Sequence, residues 1–293
     1  MEQQWTVLDM IQWATGYFKE KEVDSPRLTI ELMLAHVTGL SRMNLYMSFD
    51  KPLNPTELDA LRPMVKRRGK REPLQYILGT TNFFGLELAL TPAVLIPRPE
   101  TELLVEFTLH RLRELKRHEE ALRVLDIGTG SGCIALALAK HLPAAHVVGV
   151  DVSADALAVA RMNAARLGLA NVEFHERDIL TVQSTSSGDE QFDPFDVIIS
   201  NPPYISAGDM NDVEPEVADF EPRFALTDER DGLTFYRRFA DVFSTMLSER
   251  GFFAVEIGFG QSAAVESLFA AEGYVTRTEQ DLARIPRVVM GWR

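Results

Sequence analysis

Apolar residues recur at helical spacing through the first part of the chain. From Trp5 to Lys21 the positions Val7, Leu8, Ile11, Ala14, Tyr17 and Phe18 fall on one face of a helix. Asp24-Ser25-Pro26 is a start signal, with proline suited to a first turn, and opens a helix over Arg27 to Gly39 carrying Leu28, Leu32, Leu34 and Ala35. A short helix is expected from Arg42 to Met47. Another starts at Asn54-Pro55-Thr56-Glu57 and runs through Leu58, Leu61 and Val65 to a basic cluster ending at Arg71. Residues 1–72 thus read as a small all-helical domain. The pattern then changes period. Between Pro73 and Leu95, Leu86 to Leu90 alternates apolar and polar, and Gly85 separates it from Asn82-Phe83-Phe84, which predicts a β-hairpin connector over 73–95.

Over 96–293, strand-like and helix-like stretches alternate. Strands are expected at Arg123–Ile127, His146–Val150, Val172–Glu176, Phe195–Ser200 and Gly251–Ile257. Helices are expected at Cys133–His141, Ser153–Leu167, Leu233–Leu247 and Gln261–Glu272. Val275–Glu279 and Arg287–Trp292 read as a closing strand pair. This succession predicts an α/β domain with a mostly parallel, doubly wound sheet, the Rossmann-like plan. Thr181 to Pro194, rich in Ser, Gly, Asp and Gln, reads as a surface loop.

Composition narrows the class of protein. In 293 residues, 46% are hydrophobic and 25% charged, ample for cores without staples. The single cysteine, Cys133, excludes an internal disulfide framework and an all-cysteine metal site, and its apolar setting marks it as a small core residue. Met1 to Lys21 has no signal-peptide pattern and no stretch reaches membrane-spanning length, so the cytoplasm is the expected compartment. A net charge of -13 argues against a large phosphate-binding footprint. The run Lys66-Arg67-Arg68-Gly69-Lys70-Arg71 is the local exception. It reads first as a solvated helix end and second as a contact for RNA or an acidic partner.

Two motifs carry chemistry. The strand Arg123–Ile127 runs into Gly128-Thr129-Gly130-Ser131-Gly132 and then a helix. Glycines let a backbone turn sharply and a ligand approach, and a helix start offers unpaired N–H groups. The spacing is Gly-x-Gly-x-Gly, preceded by Asp126, and not the Gly-x-Gly-x-x-Gly of dinucleotide folds. It resembles the S-adenosylmethionine site of class I methyltransferases, and no hydride-transfer acid or base near the loop favours NAD. Asp151 ends the next strand, where a carboxylate can accept from both ribose hydroxyls. Asp178 and Ile179 follow the third, where that family contacts adenine.

Asn201-Pro202-Pro203-Tyr204 ends the strand Phe195–Ser200. A planar NH2 group is a poor nucleophile because its lone pair is delocalised. The Asn201 side-chain oxygen and the Pro202 carbonyl are two acceptors for its hydrogens. The prolines fix the backbone, and Tyr204 offers an aromatic face to a flat substrate and a sulfonium. The reading needs no metal and no covalent nucleophile. The catalytic candidates are therefore Asn201, Pro202 and Tyr204, with Pro203 completing the substrate contact and Asn201 also adjoining the cofactor. The motif is shared by methyltransferases of DNA adenine, some RNA guanine and protein glutamine, so alone it does not choose among them.

Further segments choose. Leu95-Ile96-Pro97-Arg98-Pro99-Glu100-Thr101-Glu102 resembles the signature of the HemK/PrmC family of protein-glutamine N5-methyltransferases. So do Asp24–Arg27 with Glu31–His36, Arg71–Gly79, Phe220–Leu226, and Asp281-Leu282 with Arg287–Val289. The resemblance covers nearly the whole chain. Ala283–Pro286 departs from it, since the family more often has a short Gly/Asp-containing turn there. The resemblance implies S-adenosylmethionine as cofactor, S-adenosylhomocysteine as product, and the Gly-Gly-Gln loop of bacterial-type class I release factors as substrate. It also implies that the helical domain grips the release factor, and that Arg98, Glu100 and Thr101 line the approach to the site. A monomer without stable nucleic-acid binding is expected. The alternatives are an N6-adenine DNA or RNA methyltransferase and a ribosomal-protein glutamine methyltransferase.

Overall fold

A computed structural model describes residues 5–182 and 193–293. Five helices come first: α1 (Val7–Glu20), α2 (Pro26–Thr38), α3 (Arg42–Tyr46), α4 (Pro55–Arg68) and α5 (Leu74–Leu78). β1 (Thr80–Phe83) and β2 (Leu86–Ala89) form a two-stranded sheet, followed by α6 (Pro99–Glu114). Then come β3 (Arg123–Ile127), α7 (Cys133–His141), β4 (His146–Asp151), α8 (Ala154–Leu167), β5 (Val172–Glu176) and β6 (Phe195–Ser200). α9 (Pro215–Phe220), α10 (Thr234–Met246), β7 (Leu247–Glu256), α11 (Ser262–Ala271), β8 (Val275–Gln280) and β9 (Pro286–Trp292) complete the chain. Residues 183–192, most of the expected surface loop, lie outside the described residues.

The chain divides into two compact units: Met1–Thr80 with Glu214–Phe220, and Thr81–Val213 with Glu221–Arg293. In the first, α1 and α4 begin with capping boxes, Thr6 with Asp9 and Asn54 with Glu57, which satisfy orphan N–H groups at each start. The core gathers Val7, Ile11, Ala14, Phe18, Ile30, Met33, Leu34 and Leu61. The buried face of α2 is therefore Ile30, Met33 and Leu34, while Leu28 is exposed. Glu31, also buried, accepts from Arg27 Nε, Arg42 Nη2 and Tyr46 Oη, stitching α2 to α3. Burial works against its charge, but those three donors hold its carboxyl below the usual range.

The basic cluster is largely paired within this unit. Arg67 donates twice to Glu72, Arg68 lies 3.5 Å from Glu216, and Arg71 grips both oxygens of Glu216. Segment 73–95 is not β from its start. Pro73 and the left-handed Gly79 bracket the helix α5, and the hairpin proper turns at Phe84-Gly85, both at positive φ as a type I′ turn requires.

The second unit is a seven-stranded sheet in the order β5-β4-β3-β6-β7-β9-β8. The pairs from β5 through β7 are parallel, and β9 runs antiparallel to both β7 and β8. Side chains alternate between two cores. Val124, Val197, Val147, Phe252 and Ala254 join one cluster, and Leu125, Val148, Ile198, Phe253 and Val255 the other. Burial on both faces explains why these strands read as continuous apolar runs. The carboxyl ends of β3, β4 and β6, where ligands bind in open parallel sheets, carry the motifs singled out above. The expected doubly wound sheet and closing strand pair are both present.

Candidate active site

The glycine loop turns with Gly128, Gly130 and Gly132 at φ of 72°, 54° and 82°, a region costly for other residues. The Gly128 and Thr129 N–H groups both donate to Val150 O, which ties the loop to the end of β4. Asn163 Nδ2 donates to Ser131 O and holds the loop's far side. A Cβ at Gly128 or Gly130 would meet no close protein atom, so open room lies above this turn. Cys133, just beyond it, packs against the core, and burial pushes its thiol up to about 12, as a structural cysteine requires.

Two buried acids flank the loop. Asp126 Oδ2 accepts from Thr129 Oγ1 at 2.7 Å and from Ala135 N at 3.1 Å, while Asp126 Oδ1 has no hydrogen-bond partner. Burial pushes its carboxyl up to about 7. Asp151 accepts from Gly130 N and from Ser153 N, both at 2.9 Å, and burial raises its pKa too. The room above the glycines and the orphaned acid oxygen fit a cofactor that brings hydroxyls and a cation. Asp178 is half-buried and its Oδ1 accepts from Leu180 N. Ile179 lies inside the core beside Leu125, Ile127 and Val150, and is 6% exposed.

Asn201 follows the last residue of β6, Ser200, whose hydroxyl donates to Ile127 O and fastens the strand end to β3. Asn201 Nδ2 donates to Thr101 Oγ1 at 3.1 Å, and no described residue donates to Asn201 Oδ1. The motif's backbone is held from behind. Gln261 Nε2 donates to Tyr204 O at 3.0 Å, and Ile205 N donates to Leu226 O. Pro202 is buried. The Tyr204 hydroxyl donates to Glu256 Oε1 at 3.3 Å, and burial raises its pKa well above the ordinary phenol value.

The Pro-Arg-Pro-Glu-Thr signature meets this site through Thr101, and its start is held by Glu221. That buried carboxylate accepts from Ile96 N at 3.1 Å and from Arg98 Nη2 at 2.5 Å. Thr101, in the first turn of α6, is 2% exposed. The structure thus brings Thr101, Asn201 and Tyr204 together, and adds Glu256 and Gln261, which the sequence reading does not pick out. A charged residue closing an apolar strand, Glu256 after Phe252-Phe253-Ala254-Val255, is the signal that marks the first of these.

A parallel sheet carrying this loop, these acids and this motif at neighbouring strand ends defines a class I S-adenosylmethionine-dependent methyltransferase. A methyltransferase from Pyrococcus furiosus, 19% identical, shares the fold with a TM-score of 0.50 over 71% of this chain and 89% of its own. Family models match here as well: a PrmC N-terminal domain over residues 9–79 and a methyltransferase domain over residues 118–240. The release factor glutamine methyltransferase of Geobacter sulfurreducens is 47% identical over 98% of this chain and 96% of its own. That of Chlorobaculum tepidum is 38% identical over 98% and 97%. With such relatedness across nearly its full length, the chain belongs to the release factor glutamine methyltransferase family.

Proposed function

We propose that this enzyme transfers a methyl group from S-adenosylmethionine to the side-chain amide N5 of the glutamine in the Gly-Gly-Gln loop of bacterial-type class I peptide chain release factors. The observation that carries the reading is the Asn201 amide, pinned by Thr101 through its nitrogen and left with an acceptor oxygen at the end of β6. An amide NH2 needs two acceptors in one plane. Asn201 Oδ1 and the Pro202 carbonyl supply them, and the two prolines hold the second without an entropy cost on binding. Tyr204 packs against the planar amide, and Pro203 keeps its backbone in line.

The cofactor supplies an electrophilic methyl group on a sulfonium and leaves as S-adenosylhomocysteine. Gly128, Thr129, Gly130, Ser131 and Gly132 would wrap it. Asp151 would accept from the ribose hydroxyls and Asp178 from the adenine amine, with Ile179 beneath the ring. The orphan oxygen of Asp126 would accept from its ammonium. Asn201 would lie between cofactor and substrate. The protein's contribution is positioning for in-line attack.

The helical unit would grip the release factor. The paired basic cluster and the net charge of -13 support a protein substrate over a nucleic acid. No helix among the described residues is long and apolar enough to cross a membrane. The reading places the enzyme in the cytoplasm as a monomer. Labelled S-adenosylmethionine tests it, with unmodified release factor, its Gln-to-Ala loop variant and duplex DNA as acceptors. Label on the release factor alone, lost in the loop variant, is the expected result; label on DNA, or on none, overturns the acceptor assignment.

A further inference from the structure

Glu256 closes β7 and is 2% exposed, in contact with the Asn-Pro-Pro-Tyr motif through Tyr204. Tyr204 donates to its Oε1 at 3.3 Å. Its Oε2 has no hydrogen-bond partner, and the Thr101 hydroxyl, which accepts from Asn201 Nδ2, is close enough to favour its ionised form. Hydrogen bonds thus tie Asn201 to Thr101 and Tyr204 to Glu256, and the buried Glu256 Oε2 is left as an acceptor near the Thr101 hydroxyl.

The direction of the hydrogens across these contacts matters. A threonine hydroxyl has one hydrogen. When it goes to Glu256, Thr101 presents only lone pairs to Asn201. The Asn201 amide must then turn its NH2 inward and its oxygen outward, toward the NH2 group it is to receive. If Glu256 carries a proton and donates to Thr101 instead, the Thr101 hydrogen is released toward Asn201. The amide then gains by turning its oxygen inward, and the outward acceptor is lost. We propose that Glu256, acting through the Thr101 hydroxyl, sets which end of the Asn201 amide faces the substrate. Glu256 and Thr101 are positioning residues on this account, since neither needs to touch the reacting atoms.

The surroundings make the orientation depend on pH. Burial pushes the Glu256 carboxyl up to about 7, against the hydroxyls of Thr101 and Tyr204. Glu100 from α6 raises it further and Arg287 from β9 lowers it. The Tyr236 hydroxyl of α10 donates to the Glu256 backbone carbonyl at 2.7 Å, and Cys133 of α7 also feels its charge. Turnover should rise with pH through about 7 as Glu256 ionises.

The inference rests on the proposed methyl transfer to an amide, and the test separates the two. kcat and KM are measured against pH with unmodified release factor for the native chain, Glu256→Gln, Thr101→Val and Thr101→Ser. Glutamine mimics the protonated acid, because its NH2 can donate to Thr101. Glu256→Gln and Thr101→Val should therefore lose ~10–100-fold in kcat at alkaline pH and show no limb near neutrality, with KM and cofactor affinity within about twofold. Thr101→Ser should restore both rate and limb. Native-like kcat and pH profile in Glu256→Gln, or in Thr101→Val, overturn the inference while leaving the acceptor assignment standing. If Glu256→Gln fails to fold, the Thr101 pair decides. If the native chain does not methylate the release factor, the acceptor assignment falls. The Asn201 side-chain NH2 resonance then decides: it should titrate near neutrality in the native chain and stay fixed in Thr101→Val, and a resonance that does not titrate in the native chain overturns the inference.

Discussion

Arg98 and Glu221 form an ion pair that joins two sequence segments 123 positions apart, with the Glu221 carboxylate almost wholly buried. Arg98 precedes α6, and Glu221 follows α9 downstream of the Asn-Pro-Pro-Tyr turn, so the pair fixes the first turn of α6, where Thr101 sits. Removing the arginine leaves a buried charge, which costs ~3 kcal/mol. Arg98→Ala is expected to lower unfolding stability by about that much and to reduce kcat along with it. Denaturant titration and initial rates check this, and an unchanged midpoint would show that the pair does not hold the segment.

Asn201→Ala removes one of the two proposed acceptors without touching the glycine loop. Turnover should fall by ~10²–10³-fold, as when a single preorganised polar contact is lost from an active site, while S-adenosylmethionine affinity changes little. Calorimetry and single-turnover rates separate the two. A parallel loss of cofactor affinity would move Asn201 from the substrate to the cofactor.

Asp126 makes the stability of the fold depend on pH. Burial raises its folded-state pKa to about 7, above the unfolded value near 4. Its contribution is therefore complete below about pH 4 and is lost as pH rises through about 7. Relative to the native chain without cofactor, Asp126→Asn should gain stability across that window, by up to ~4 kcal/mol. Thermal or chemical unfolding at a series of pH values reads this directly, and a flat difference would mean that the carboxyl titrates normally.

Gly232 has φ of 76°, and a Cβ there would collide with the Tyr204 carbonyl and Gln261. Gly232→Ala should displace the motif's backbone and lower kcat by ~10²-fold, with a smaller effect on cofactor binding. The corresponding change at Gly260, also at positive φ but with open space around it, should leave turnover nearly unchanged. Equal effects of the two would show that backbone strain, and not the approach to Tyr204, is responsible.

The inner strands β3, β4, β6 and β7 were legible because both their faces are buried, which leaves apolar runs. The loop and the Asn-Pro-Pro-Tyr turn were legible because they follow such strands in order, at β3 and β6. α6 was not singled out. Its apolar stripe of Leu104, Val105, Leu109 and Leu112 is diluted by charges, although Pro99, the early Glu100 and Glu102, and the late Arg111 and Arg113 are helix-end signals. α5 falls inside the expected β connector because Tyr76-Ile77-Leu78 is too short to show a period, and only Gly79 reveals the stop. Glu256 stayed hidden because its importance lies in partners at 101 and 204, a proximity that only the folded sheet creates.

The strand order carries a consequence for synthesis. β9 follows β8 in the chain yet lies between β7 and β8, and β8 has no other strand partner among the described residues. A nascent chain that has emerged only as far as β8 must hold the β7 edge, with Phe252 and Phe253 beside it, open to whatever strand arrives first. Domains that leave a long apolar edge waiting in this way are exposed to aggregation during translation. Completion of the sheet thus waits for β9, although β8, the strand beyond it, is made first.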